Sequence, residues 1–203
     1  MTNLYTIHGI FPIPVYSVKR DSDLDSTEEK EIEDIIELGF IGNYSIDFYI
    51  FQNKLQKIKQ FCEKHIKTYV KQIINPKQEI DFYIEQSWLA VLKPGEIGNE
   101  HYHSNTIISG VFYISTKEND CIIFKDPNYK IKEFIKFEEK EINIWNNSQW
   151  IYPVNNNDLI LFPSWLEHFA PLNQGNTDRI SLAFNIFAKG VFGGGQFLNR
   201  LSL

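Results

Sequence analysis

Apolar residues recur at three- and four-residue intervals through the first third of the chain and in short dense runs thereafter, so helices come first and strands follow. The stretch Leu4 to Val18 is aromatic and β-branched, and Pro12 and Pro14 within it suit an edge strand or an extended lead-in covering one side of the fold. Ser26, three residues ahead of Glu29, makes a capping-box pattern before Ile32, Ile35, Ile36 and Leu38, and Gly39 is placed to end that helix. From about Asp47 to Ile74, the positions Leu55, Ile58, Cys62, Ile66, Tyr69, Val70 and Ile73, with lysines between them, predict one long amphipathic helix that stops before Pro76. Cys62 and His65 belong to this helix as packing residues.

After Pro76 the runs are rich in Ile, Phe, Tyr and Val and are separated by turn clusters at Pro94-Gly95, Asp126-Pro127, Asn155 to Asn157 and Gly175-Asn176. Strands are expected at Ile80 to Leu92, Thr106 to Ser115, Cys121 to Phe124, Ile131 to Phe137, Asp158 to Phe162 and Arg179 to Phe187. The order predicts a mainly β jelly roll with its helices on one outer face, residues 1–76 supplying strand and support helices and residues 77–203 the β core of one domain.

Composition narrows the function. The chain has 203 residues, 43% of them hydrophobic, which suffices for one full core. A formal charge of -6 with dispersed Lys and Arg leaves no basic stripe for a phosphate backbone, so nucleic acid is not an expected partner. Two cysteines, Cys62 and Cys121, are too few for a disulfide framework, and no secretory leader stands at Met1, so a cytoplasmic location is expected. Every hydrophobic run is interrupted well short of the roughly 20 residues that span a bilayer, so no membrane association is expected.

Candidate chemistry sits in the β part. His101 and His103 are spaced by one residue, and an extended backbone projects both to the same face. His168 lies just past the run Leu159 to Phe162, where a strand end opens into a barrel mouth, and can complete a three-imidazole metal site. The bland alternative is hydrogen-bonded imidazoles near a turn. In the strand from Arg179, Ser181, Ala183 and Asn185 alternate with Ile180, Leu182, Phe184 and Ile186. A row holding Arg and Asn is costly as plain core and fits the wall of a polar pocket, with Ser181, Asn185 and Asn105 as wall residues. The planar fork of Arg179 suits a carboxylate, so a small dicarboxylate bridging metal and arginine is one reading, and a salt bridge to one of the 26 acids is the other.

These segments also carry a resemblance. His101-Tyr102-His103-Ser104-Asn105, Ser109-Gly110-Val111-Phe112-Tyr113, Leu161-Phe162-Pro163-Ser164-Trp165 with His168, and Arg179-Ile180-Ser181 through Asn185 resemble, in order and over roughly the C-terminal half, the 2-oxoglutarate and Fe(II)-dependent oxygenases related to prolyl hydroxylases. The resemblance implies a double-stranded β-helix, a dioxygenase consuming 2-oxoglutarate and dioxygen, His101 and His168 as imidazole ligands, and Tyr113 and Arg179 as contacts of 2-oxoglutarate. His103 stands where the family usually has a carboxylate. Three-histidine sites occur in related cupin dioxygenases, so Fe(II) stays the expected metal while Zn(II) and Ni(II) compete more strongly. Glu100 and Glu167 adjoin the ligands but alternate away from them, and Asp126 is the acid that could replace His103 as third ligand. The resemblance leaves the primary substrate open, whether a protein side chain or a small molecule. Phe112, Phe162, Trp165 and Phe184 offer apolar walls or core, and Trp88, Trp145, Trp150 and the loop from Asn146 to Asn157 offer a lid. Two other classes fit parts of the pattern: a metal cupin without 2-oxoglutarate, which needs no Arg179, and a non-catalytic jelly-roll binding module, which needs no converging histidines.

Overall fold

The computed structural model describes residues 6–132, 135, 137–196 and 198–203. Strand β1 (Tyr16–Lys19) is an edge strand, paired antiparallel to β8 (Asp158–Pro163). Helix α1 (Ser26–Leu38) follows and stops at Gly39, whose φ of 111° is open to glycine. Its capping box lies one residue earlier than the sequence pattern suggests: Asp25 accepts from the Glu28 backbone N–H, and the Glu28 carboxylate accepts from that of Asp25. Both pairs have the same spacing, and Glu28 is chosen because it is buried against Arg20 at 3.0 Å.

The single helix expected from Asp47 to Ile74 is broken. A short hairpin of β2 (Phe40–Ile41) and β3 (Tyr44–Ser45) precedes α2 (Ile50–Asn53), and α3 (Gln56–Tyr69) begins only after Leu55, which is fully buried with φ 54°. The Leu55 N–H donates to the Glu31 carboxylate at 2.7 Å, a partner on α1 that compensates the left-handed backbone. A π-helical turn, Val70–Ile74, ends at Asn75 with φ 45°.

The larger sheet runs β1-β8-β5-β10-β4-β3-β2, with β4 (Ile80–Leu92), β5 (Ile108–Ser115) and the long β10 (Arg179–Phe192) at its centre. The terminal β11 (Leu201–Ser202) pairs with the far end of β10. The smaller sheet is β7-β6-β9, built from β6 (Cys121–Lys125), β7 (Gln149–Pro153) and β9 (His168–Phe169). This is the expected jelly roll, and two cores follow its layers. Ile35, Ile58, Cys62 and Ile66 of the helices pack on Phe112, Leu182 and Phe184 of the larger sheet, placing the helices on its outer face. Tyr113, Ile160 and Phe162 meet Ile122, Phe124 and Leu166 between the sheets. Gly110 permits a close approach, because a Cβ there would overlap the Phe184 ring.

Two expectations need correction. The segment Asn146 to Asn157, read as a loop, contains β7, because its apolar residues pair with β6 as an outer strand while Trp150 and Ile151 stay exposed. The strand expected at Ile131 to Phe137 is not formed at its start, where Tyr129–Lys132 is one helical turn, α4; positions 133, 134 and 136 lie outside the described residues.

Candidate active site

β10 carries out the alternation expected of it. Ile180, Leu182, Phe184 and Ile186 join the core shared with the helices, while Arg179, Ser181 and Ala183 line a cavity of about 470 Å³ between the sheets. His101, His103 and His168 line the same cavity, and one nitrogen from each lies within 4.8 Å of the others.

Main-chain pairing positions the rings. His101 and His168 form an antiparallel bridge with N–H to carbonyl distances of 3.0 and 2.9 Å, and the His103 N–H donates to the Ser164 carbonyl at 2.9 Å. Each ring is also held at Nδ1. His101 meets the Asn99 carbonyl at 2.7 Å and His168 the Leu166 carbonyl at 2.8 Å, so in both the proton belongs on Nδ1 and the Nε2 lone pair is left for a ligand. His103 Nδ1 lies 3.4 Å from the Asn185 side-chain amide, whose oxygen accepts from the Ser109 hydroxyl at 3.1 Å. Burial pushes the His168 imidazole down to about 3 and that of His103 to about 4, and the neighbouring histidines act in the same direction. Both rings are therefore neutral at physiological pH, the form that ligates a metal.

The second pole of the cavity is Arg179. Its side chain is 5% exposed, and Nε donates to Asp120 at 2.8 Å, with the Asp120 side chain fully buried. The sequence readings had a carboxylate substrate and an internal salt bridge as rivals for Arg179, and the internal bridge is present. It commits Nε and leaves the guanidinium lining the cavity over the Tyr113 ring, 5.2 Å from its centroid. The Tyr113 hydroxyl is buried and finds no hydrogen-bond partner among the described residues, and burial pushes the phenol well above its ordinary range. An orphaned hydroxyl beside an arginine is the donor pair that a carboxylate would satisfy.

The other sequence candidates are distributed unevenly. Ser181 lines the main cavity, but Asn105 and Asn185 line a separate cavity of about 260 Å³ together with Gln86 and Ser104. Asp126 does not join the histidine cluster; its Oδ1 accepts from the Asn128 N–H in a turn. Glu100 turns outward to Lys125 at 3.3 Å. Trp88, Phe162 and Phe184 line the cavity, Phe112 is core, Trp165 and Trp150 are exposed, and Trp145 lies beside Gly9. Asp120 was missed by sequence reasoning, and its place directly before the Cys121 strand is the only local signal it gives.

Residues 86–185, which include the whole constellation, match the family model described as "Putative 2OG-Fe(II) oxygenase". Over these residues the chain is similar to 2-oxoglutarate and Fe(II)-dependent oxygenases, which are oxidoreductases. Solved structures share the chain's fold at low identity. SnoK, a non-heme alpha ketoglutarate dependent carbocyclase from nogalamycin biosynthesis, superposes with a TM-score of 0.58 at 11% identity, covering 87% of this chain and 81% of its own. HygX from Streptomyces hygroscopicus, with nickel and 2-oxoglutarate bound, gives 0.53 at 10% identity over 86% and 81%. The viral collagen prolyl hydroxylase of Paramecium Bursaria Chlorella virus-1, as its 2OG complex, gives 0.52 at 15% identity over 84% and 94%. No curated protein matches the chain. No helix among its described residues is long and apolar enough to cross a membrane.

Proposed function

We propose that the protein binds Fe(II) through His101, His103 and His168, binds the far carboxylate of 2-oxoglutarate through Arg179 and Tyr113, and hydroxylates a carbon of its primary substrate. The observation carrying this reading is that three imidazoles with outward-bonded Nδ1 atoms and the Arg179–Tyr113 pair face one cavity. The donor set fits the metal: neutral imidazole suits first-row ions, and three protein ligands leave positions for co-substrate and dioxygen. When bound, iron and 2-oxoglutarate supply the oxidising power, one atom of dioxygen passing to succinate as CO2 leaves and the other to the substrate as a hydroxyl.

The chain's own groups bind, orient and exclude water. With Nε held by Asp120, the guanidinium offers its terminal nitrogens to the carboxylate in a fixed plane, and the Tyr113 hydroxyl donates alongside. Phe162, Ile122 and Val111 line the cavity with apolar surface, which strengthens these charge-assisted contacts. The test is an oxygen-free titration of 2-oxoglutarate into Fe(II)-loaded protein, followed by the metal-to-ligand absorption band. Saturable appearance of the band is expected; its absence with a full equivalent of iron bound would reject the co-substrate.

A further inference from the structure

The cavity wall has two unlike parts. Arg179, Tyr113 and the three histidines form the polar part; Tyr44, Phe48, Trp88, Ala90 and Leu92 form an apolar part, in which Leu92, Ala90 and Trp88 of β4 are paired with Arg179, Ser181 and Ala183 of β10. Arg179 is the sole charged side chain among the described residues lining it, in a chain that is 23% Asp, Glu, Lys and Arg, and in the proposed complex Asp120 and the co-substrate carboxylate together take up its charge. A further cation or anion laid against the apolar wall would shed water and meet no free opposite charge. The polar groups available there are the uncharged side chains of Tyr44, of Asn43, on the β2–β3 turn, and of Asn99, just ahead of His101.

The aromatic wall reaches the histidines. Trp88 on β4 is 8% exposed, with its ring 5.8 Å from that of His103 and 6.0 Å from that of Phe48, which stands between β3 and α2. A flat apolar group laid on Trp88 would therefore sit beside the histidine cluster, where its carbons come within reach of the chemistry. Resting on the co-substrate reading above, we propose that the primary substrate presents an uncharged, apolar, ring-shaped or branched group to the chamber walled by Trp88, Phe48 and Tyr44. Charged groups are rejected by the missing counter-charge.

The test uses protein loaded with redox-silent Zn(II) and 2-oxoglutarate, examined by saturation-transfer NMR. Four probes are titrated separately: N-acetylphenylalaninamide, N-acetylleucinamide, N-acetyllysinamide and N-acetylaspartic acid amide. The signals of 2-oxoglutarate in the same spectra report co-substrate binding independently. The two neutral probes bind at least tenfold more tightly than the two charged ones, and Ala90→Asp reverses the order in favour of the lysine probe. A charged probe that binds wild type as tightly as the neutral ones overturns the proposal, as does failure of both neutral probes in protein whose 2-oxoglutarate signals show binding. Loss of the 2-oxoglutarate signals themselves would instead remove the co-substrate reading and this inference with it.

Discussion

Arg179 has two partners in the proposed site, Asp120 permanently and 2-oxoglutarate in turn, and a double-mutant cycle separates the two duties. Arg179→Met alone abandons the Asp120 carboxylate, whose side chain is 0% exposed. An uncompensated buried charge of that kind costs about 3 to 5 kcal/mol of stability, which for a protein of this size lowers Tm by roughly 6 to 20 °C. Asp120→Asn alone keeps the shape but disturbs the Nε contact at 2.8 Å and the acceptor for the Cys121 N–H, costing about 1 to 3 kcal/mol. Combining the two removes the stranded charge, so the double variant should be more stable than Arg179→Met, a coupling of about 0.5 to 3 kcal/mol for contacting groups. Its co-substrate affinity should not recover. Loss of the guanidinium opposite a buried carboxylate weakens 2-oxoglutarate by about 2 to 5 kcal/mol, or roughly 30-fold to several thousand-fold. The assay is thermal melting of all four proteins beside the anaerobic 2-oxoglutarate titration. A double variant with restored stability and wild-type affinity for 2-oxoglutarate would show that Arg179 serves Asp120 alone, and the proposed anchor would be wrong.

Tyr113→Phe removes a hydroxyl with no partner among the described residues, so metal-free stability should hold or rise while 2-oxoglutarate affinity falls by about 0.5 to 3 kcal/mol; a drop in Tm without a change in affinity would contradict this. In metal-free protein His168 titrates near 3 when folded against about 6.5 when unfolded. The unfolded chain therefore takes up more protons between those values, and stability present above pH 6.5 is lost as pH falls toward 3. At pH 5 His168 alone accounts for about 2 kcal/mol, to be read as the difference in chelator-treated Tm between pH 7.5 and pH 5, and an unchanged Tm would contradict it. Asn185→Ala should weaken metal binding roughly ten- to a hundredfold by freeing His103 Nδ1, whereas Asn185→Asp, which replaces the amide nitrogen there by an acceptor for an Nδ1 proton, should retain it. Competition with a chelator of known affinity measures both, and equal affinity of wild type and Asn185→Ala would refute the role.

What could be read beforehand was local. β4 runs from Ile80 to Leu92 as its apolar texture indicated, and α1 ends at Gly39 because one residue fixes a helix stop. The two faces of β10 followed from alternation alone. The break at Leu55 was not legible, since Leu55 continues the helical period and what stops the helix is a hydrogen bond to Glu31, 24 residues earlier. Asp120 was hidden for the same reason: among 26 acids nothing nearby marks the one that meets Arg179 across 59 residues. Asn185 was assigned to the right face but to the wrong cavity, because alternation gives direction and not position along the strand.

The bridge between His101 and His168 bears on how metal is acquired. Its two main-chain hydrogen bonds already join the ends of a chain segment of about 68 residues, which holds β6 and β7 of the smaller sheet and ends where β9 begins. Closing a free loop of that length costs about 4 kcal/mol in chain entropy. Here the fold meets that cost through its own backbone, so an ion arriving at the proposed site has only water to displace. In that reading the protein stands assembled through intervals of metal scarcity and takes up its ion without refolding, unlike small proteins for which the metal is the core.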